Sequence, residues 1–220
     1  MSQSGARGIG MTSLRTRERL LTRLQGEGIS DFEVLGAMRD VPRHMFVDEA
    51  LSSRAYEDIA LPIGAGQTIS QPFIVARMTE ALRAGRRLQR VLEIGTGCGY
   101  QSAVLAYVVG QVFSVERIDS LLFQARERFH ALGINNIRAR HDDGFKGWPE
   151  HAPFDGILLT AAPESIPRLL LEQLAPDARL IAPIGRQGVQ RLICVQRTDT
   201  GFEESFLDDV SFVPMVRGLS

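Results

Sequence analysis

The sequence predicts an α/β fold: a mostly parallel, doubly wound sheet preceded by an N-terminal helical region and followed by a β-rich C-terminal segment. Three observations predict it. From Arg90 onward, short apolar runs alternate with segments of helical period over short links, the pattern of a parallel sheet covered on both faces. Before that, residues 12–85 carry apolar residues mainly at helical spacing. After Val189 the alternation stops and only strand-like runs follow.

The elements can be justified in order. Residues 1–11 are expected to be a disordered leader. They are Gly/Ser-rich and lack the apolar stretch of a secretory signal, and Met11 offers an alternative start. Leu14, Leu20, Leu21 and Leu24 lie opposite Arg15, Arg17, Arg19 and Arg23 on an amphipathic first helix. Ser30-Asp31-Phe32-Glu33 reads as a capping box with Ser30 at the N-cap, opening a helix to about Arg39 that Pro42 stops. Residues 57–72 contain Pro62, Gly64, Gly66 and Pro72 and read as an irregular loop. A helix over 72–82 follows, with Ile74, Val75, Met78 and Leu82 at helical spacing.

The alternating region predicts strands at 91–94, 112–115, 137–141, 154–159 and 179–183. Helices are expected at 101–109, 119–132 and 166–174 between them. Runs at 192–196, 202–207 and 210–213 are expected to close the sheet. A single domain is expected over 12–220, divided into N-terminal helices and loop (12–85), core (86–188) and C-terminal β segment (189–220).

Composition narrows the function classes. The 220 residues are 44% hydrophobic and 23% charged with a net charge of −1, so no electrostatic footprint for nucleic acid or an anionic membrane is present. No run approaches the ~18 apolar residues of a transmembrane helix. Two cysteines, Cys98 and Cys194, are too few for a disulfide framework and fit a reducing, cytoplasmic setting. The four histidines are scattered, so no metal is expected, and Trp148 reads as a packing residue.

Chemistry concentrates where the first core strand ends, at Glu93-Ile94-Gly95-Thr96-Gly97-Cys98-Gly99-Tyr100. Glycines there let a ligand approach the backbone at the edge where open α/β sheets bind. A dinucleotide fingerprint requires Gly or Ala at position 100, which is Tyr100 here, and the Gly-Lys-Ser/Thr of a phosphate loop is missing. A cofactor without pyrophosphate is favoured. Glu116 ends the next strand, where a carboxylate can accept both ribose hydroxyls. Asp143-Gly144 follows the third strand, placed to meet an adenine edge. Each residue alone is equally a turn residue; together, at successive strand ends, they suit one nucleoside.

This arrangement resembles the S-adenosylmethionine-dependent methyltransferases with a Rossmann-like sheet, in which the residue at Glu93 helps bind the methionine end. Residues 61–72, Leu-Pro-Ile-Gly-Ala-Gly-Gln-Thr-Ile-Ser-Gln-Pro, narrow the match further. With 91–105, 154–163 and 210–215 they resemble the protein-L-isoaspartate O-methyltransferase family. The resemblance covers 14–216, departing at Cys98, Asp142 and Met215. Asp142 is expected to weaken cofactor binding slightly unless its side chain faces the surface.

The resemblance implies methyl transfer from S-adenosylmethionine, leaving S-adenosylhomocysteine, to the α-carboxylate of L-isoaspartyl residues in damaged proteins and peptides. It implies Ser70 as the residue that orients the acceptor, although its position also suits a cap for the helix begun at Pro72. Cofactor residues would be Glu93, Gly95, Thr96, Gly97, Cys98, Gly99, Glu116, Asp143 and Gly144. Gln67, Thr68, Ile69, Gln71, Val213 and Pro214 would meet the substrate. Gly64 and Gly66 would serve as hinges or as plain turns. The Asn/Asp-Pro-Pro-Tyr/Phe run of base amine methyltransferases is replaced by Thr160-Ala161-Ala162-Pro163, so nucleic acid is not the expected acceptor. A monomer without membrane attachment is expected.

Overall fold

A computed structural model describes residues 10–220. The expected leader lies outside them except for Gly10 and Met11, which open a 3-10 turn, Gly10–Thr12. Helices α1 (Leu14–Gly26) and α2 (Phe32–Asp40) follow. A hairpin of β1 (Leu61–Gly64) and β2 (Gln67–Ile69) leads into α3 (Pro72–Arg83). The core continues as β3 (Arg90–Ile94), α4 (Tyr100–Val108), β4 (Gln111–Glu116), α5 (Asp119–Ala131) and β5 (Ile137–His141). It ends with β6 (Phe154–Leu159), a single turn α6 (Arg168–Leu171), β7 (Leu174–Arg186), β8 (Val189–Thr198) and β9 (Gly201–Val210).

The seven-stranded sheet has the order β5-β4-β3-β6-β7-β8-β9. Pairings from β5 through β7 are parallel, and β7-β8 and β8-β9 are antiparallel. Chain order reverses at β3, whose neighbours β4 and β6 leave in opposite directions. That reversal opens a crevice at the carboxyl ends of β3 and β6. Strand alternation then sorts the core. Val91, Val112, Leu158 and Ile181 face α1 to α5, whereas Leu92, Phe113, Ile157 and Leu180 face α6 and the connections near Trp148. Trp148 packs edge-on against Phe113 at 5.6 Å.

Four local expectations change. Asp31, not Ser30, caps α2: its Oδ1 accepts from the amides of Glu33 (2.9 Å) and Val34 (3.2 Å). The Ser30 amide and hydroxyl bond instead to Glu80, and Glu33 pairs with buried Arg83. Residues 61–69 are a hairpin rather than an irregular loop; positive φ at Ala65 (51°) and Gly66 (68°) gives the turn the hand that matches strand twist. The helix expected over 166–174 shrinks to one turn because β7 already begins at Leu174. Residues 211–213 do not continue a strand; the chain leaves β9 and forms one parallel bridge, Ala162 to Pro214.

One carboxyl sits inside this core. Glu93 of β3 is fully buried and faces α4, accepting from the Ser102 hydroxyl and, at 2.5 Å, from Ser114 Oγ on its register partner in β4. The Ser114 hydroxyl is in turn hydrogen-bonded to that of Thr96 at 2.6 Å. Burial pushes Glu93 up to about 8, against the lowering effect of the two serines. A raised acid binds a proton in the folded chain that the unfolded chain has already lost. The resulting stability is full below the ordinary carboxyl range and disappears as pH rises toward 8. Urea unfolding from pH 5 to 8 is expected to show ~3 kcal/mol more loss in the parent than in Glu93→Gln; equal slopes would refute a protonated Glu93.

Candidate active site

The turn after β3 is shaped by close approach. Gly95 has φ 98°, and a Cβ there would stand 2.2 Å from Thr160 Oγ1. The Thr160 hydroxyl contacts the carbonyls of Gly95 (2.6 Å) and Ile94 (3.0 Å), and its amide bonds to Ile94 O (2.9 Å). The end of β6 therefore clamps the turn, and no L side chain fits between them. Gly99 serves a different purpose. It begins α4 at φ 92° and packs so closely on α5 that a Cβ would meet the Phe129 ring at 2.6 Å.

Glu116 closes the turn from the β4 side. Its Oε2 accepts from Gly97 N (2.8 Å) and its Oε1 from Ile118 N (2.9 Å). The side chain is 5% exposed and lines a cleft at the carboxyl ends of β3, β4 and β6. Each carboxylate oxygen keeps a lone pair beyond those backbone bonds. The carboxylate is thus already aimed, with acceptor capacity left for two hydroxyls.

Of the expected cofactor residues, Gly95, Thr96, Gly97, Cys98, Glu116 and Gly144 line the cleft, and Glu93, Gly99 and Asp143 do not. Glu93 lies behind Thr96 with its Oε1 buried and unpartnered. Asp143 is spent on backbone: Oδ1 accepts from Phe145 N (2.9 Å) and Oδ2 from Gly218 N (3.0 Å). The Cys98 thiol is pushed up by burial and stays protonated. Asp142, whose side chain is 23% exposed, is paired with Arg140 (3.2 Å) and Lys146 (2.9 Å). Burial raises its pKa, but Lys146, the Asp143 amide and Arg140 outweigh that and hold it below the usual range. Its charge is therefore largely neutralised before any ligand arrives.

The opposite side of the cleft is built from the hairpin and the C-terminal segment. Gln67, Thr68, Ile69 and Ser70 line the same cleft, facing Val213, Pro214 and Met215. Ala162 N donates to Val213 O (2.9 Å) and Met215 N to Ala162 O (2.8 Å). Arg117 Nε donates to Gly218 O (3.0 Å), so the segment after Pro214 crosses from β6 to the end of β4. Gln71 points elsewhere, donating to Asp58 Oδ2 (2.8 Å).

Ser70 is not the cap of α3. Gln71 holds that position without a side-chain bond, and the Phe73 amide is satisfied by Asp58 Oδ1 at 2.8 Å. The Ser70 carbonyl accepts from Arg43 (2.7 Å), and its hydroxyl has no hydrogen-bond partner among the described residues. Asp58, Thr160 and Arg43 are the functional supports that sequence reasoning missed. Only Thr160 carried a signal, its place at a core strand end.

The residues fit a nucleoside. The close-packed glycine turn admits backbone approach, Glu116 offers paired acceptors, and Ile94, Val115 and Ile118 supply apolar wall. No group of three side chains suited to a metal assembles among the described residues.

Comparison with known proteins agrees with this geometry. The family described as Protein-L-isoaspartate(D-aspartate) O-methyltransferase (PCMT) matches residues 15–220. A protein-L-isoaspartate O-methyltransferase of Halorhodospira halophila is 58% identical over 218 residues, 99% of each chain. Protein-L-isoaspartate O-methyltransferase 1 of Nitrosococcus oceani is 59% identical over 94% of this chain and 99% of its own. A solved protein-L-isoaspartate O-methyltransferase superimposes with a TM-score of 0.84 at 31% identity, covering 92% of this chain and 67% of that one. A Plasmodium falciparum structure of that name, in complex with S-adenosyl-L-homocysteine, gives 0.75 at 26% identity over 91% and 98%. By sequence over nearly its whole length, this chain belongs to the protein-L-isoaspartate(D-aspartate) O-methyltransferase family.

Proposed function

We propose that this chain transfers a methyl group from S-adenosylmethionine to the free α-carboxylate of L-isoaspartyl residues in damaged proteins and peptides, initiating their repair, with Ser70 orienting the acceptor. The observation that carries the reading is the unengaged Ser70 hydroxyl on the wall of the cleft that also contains Glu116.

When bound, the cofactor supplies a methyl carbon on a cationic sulfur, and transfer to a carboxylate oxygen leaves a neutral thioether and an ester. The chain's own work is positioning. Glu116, already held by two amides, takes the ribose hydroxyls; Gly95, Thr96, Gly97, Cys98 and Gly144 shape the rest of the nucleoside wall. Glu93 and Asp143 act from behind, by buried hydrogen bonding and by fastening Gly218. Gly99 sets the start of α4.

At the acceptor, the Ser70 hydroxyl donates to one carboxylate oxygen and leaves the other free to react. A carboxylic acid with a pKa around 3 to 4 is ionised at pH 7, so no general base is required. A serine nucleophile is not required either, and Glu116, the carboxylate lining the cleft, is held by the Gly97 and Ile118 amides. Apolar Ile63, Ile69 and Val75 exclude water from the anion. Orientation of that kind supplies on the order of 7–11 kcal/mol in the best-aligned reactions. Gln67, Thr68, Val213 and Pro214 flank an extended peptide, whose backbone can pair with theirs and so tolerate varied side chains. Gln71 contributes through Asp58.

We further take residues 12–220 to work as one domain and one protomer, in the cytoplasm, without nucleic acid or membrane. A net charge of −1 and two free, buried cysteines support this. Among the described residues no helix is long and apolar enough to cross a membrane.

Labelled methyl from S-adenosylmethionine is expected on an isoaspartyl peptide and not on its aspartyl isomer; transfer to neither, or to both alike, would refute the assignment. Ser70→Ala should lower kcat/KM for that peptide roughly 10- to 100-fold, the range for one hydrogen bond to a charged group. S-adenosylhomocysteine affinity should stay within about twofold. Parallel loss of both would mean the serine only supports the loop.

A further inference from the structure

Arg43 is fully buried and, with Arg83, among the largest buried side chains of the described residues. Its Nε donates to Ala55 O (2.8 Å) and its Nη2 to Ser70 O (2.7 Å) and Ile59 O (3.4 Å). The guanidinium lies over the Tyr100 ring, 4.8 Å from its centroid. No carboxylate pairs with it among the described residues, and its Nη1 is buried without a hydrogen-bond partner. Burial lowers its pKa from the arginine range against the raising effect of Tyr100, Cys98, Tyr56 and Asp58, a carboxylate that acts on it without forming an ion pair.

A scaffold that needed only to tie three carbonyls together could use neutral donors. A buried charge without a close ion-pair partner is costly, and Asp58 offsets that of Arg43 only from outside ion-pair distance. It stands one layer behind the cleft: of the four residues it contacts, Ser70 and Tyr100 line the wall. The other buried arginines differ. Arg83 is paired with Asp31 and Glu33, and Arg17 lies over Tyr56, outside the cleft.

We propose that Arg43 is a positioning and specificity-determining residue for the acceptor: its charge, which no carboxylate pairs directly, stands behind Ser70 and selects an ionised carboxylate over a neutral group of the same shape. The inference rests on the reading of Ser70 as the acceptor contact and deepens it. A fixed cation in a water-poor wall attracts the anion before reaction and needs no rearrangement to do so. It also accounts for the backbone link, since the bond to the Ser70 carbonyl holds hydroxyl and charge in register.

The test uses the complex with S-adenosylhomocysteine and two capped peptides whose only possible charge is at the damaged site. One carries isoaspartate, the other the corresponding isoasparagine amide. Binding of each is measured for the parent, Arg43→Lys and Arg43→Gln, with melting temperature as a check on folding. The carboxylate-over-amide preference is expected to fall on the order of tenfold in Arg43→Gln and to persist in Arg43→Lys. Equal weakening of both peptides in Arg43→Gln, with the preference intact, would overturn the proposal in favour of a purely structural tie.

If Arg43→Gln does not fold, the parent still decides. A buried charge is little screened, so isoaspartyl affinity should change less than about twofold between ~0.05 and ~0.5 M salt. A several-fold loss would place the selecting charge on the surface and overturn the inference. Because these are binding measurements, they remain readable whether or not labelled methyl reaches the peptide, which tests the broader reading separately.

Discussion

The site depends on how closely the β3 turn can approach the end of β6. At Gly95 that distance leaves no space for a methyl group, because Thr160 Oγ1 occupies the position a Cβ would take. Thr160 can hold the turn by its own hydroxyl only because the two strands are parallel neighbours in register, Ile94 opposite Leu159. With the turn fixed, Gly97 N points at Glu116, and the carboxylate is oriented before any ligand binds. Reversal of strand order at β3 creates the crevice; the glycine-threonine contact gives it a defined wall.

Around that wall the chain assembles the opposite side of the cleft from two segments remote in sequence. The hairpin β1-β2 arrives from the N-terminal third, held by Arg43 on the Ser70 carbonyl and by Asp58 on the start of α3. The segment after β9 arrives from the other end, bridged to Ala162 and tied down at Asp143 and Arg117. None of these links is local in sequence. The C-terminal segment is therefore fastened to the same strand ends that hold Glu116, whereas the hairpin is fastened from the N-terminal third.

The parallel core was the most legible part of the sequence. The strand at 154–159 falls where its apolar run places it, because a buried parallel strand leaves little choice of period or end, and the partly exposed edge strand falls at the expected 137–141 as well. Failures came where two residues could satisfy one physical requirement. Ser30 and Asp31 can both cap a helix, and the contest is settled by Glu80, fifty residues away, which takes Ser30. Proline and glycine in 57–72 signal a break in helix but do not distinguish a loop from a tight hairpin. Asp143 has the position of a ligand contact, yet a distant backbone amide at Gly218 claims its second oxygen. Asp58 and Arg43 act through backbone partners that no side-chain pattern announces.

The central claim is that the cofactor meets a carboxylate already aimed by the protein. A crystal structure with S-adenosylhomocysteine bound tests it directly. The account predicts that Glu116 keeps its bonds to Gly97 N and Ile118 N while both ribose hydroxyls donate to its remaining lone pairs. A Glu116 side chain swung away from Gly97, or a ribose seated elsewhere in the cleft, would contradict it.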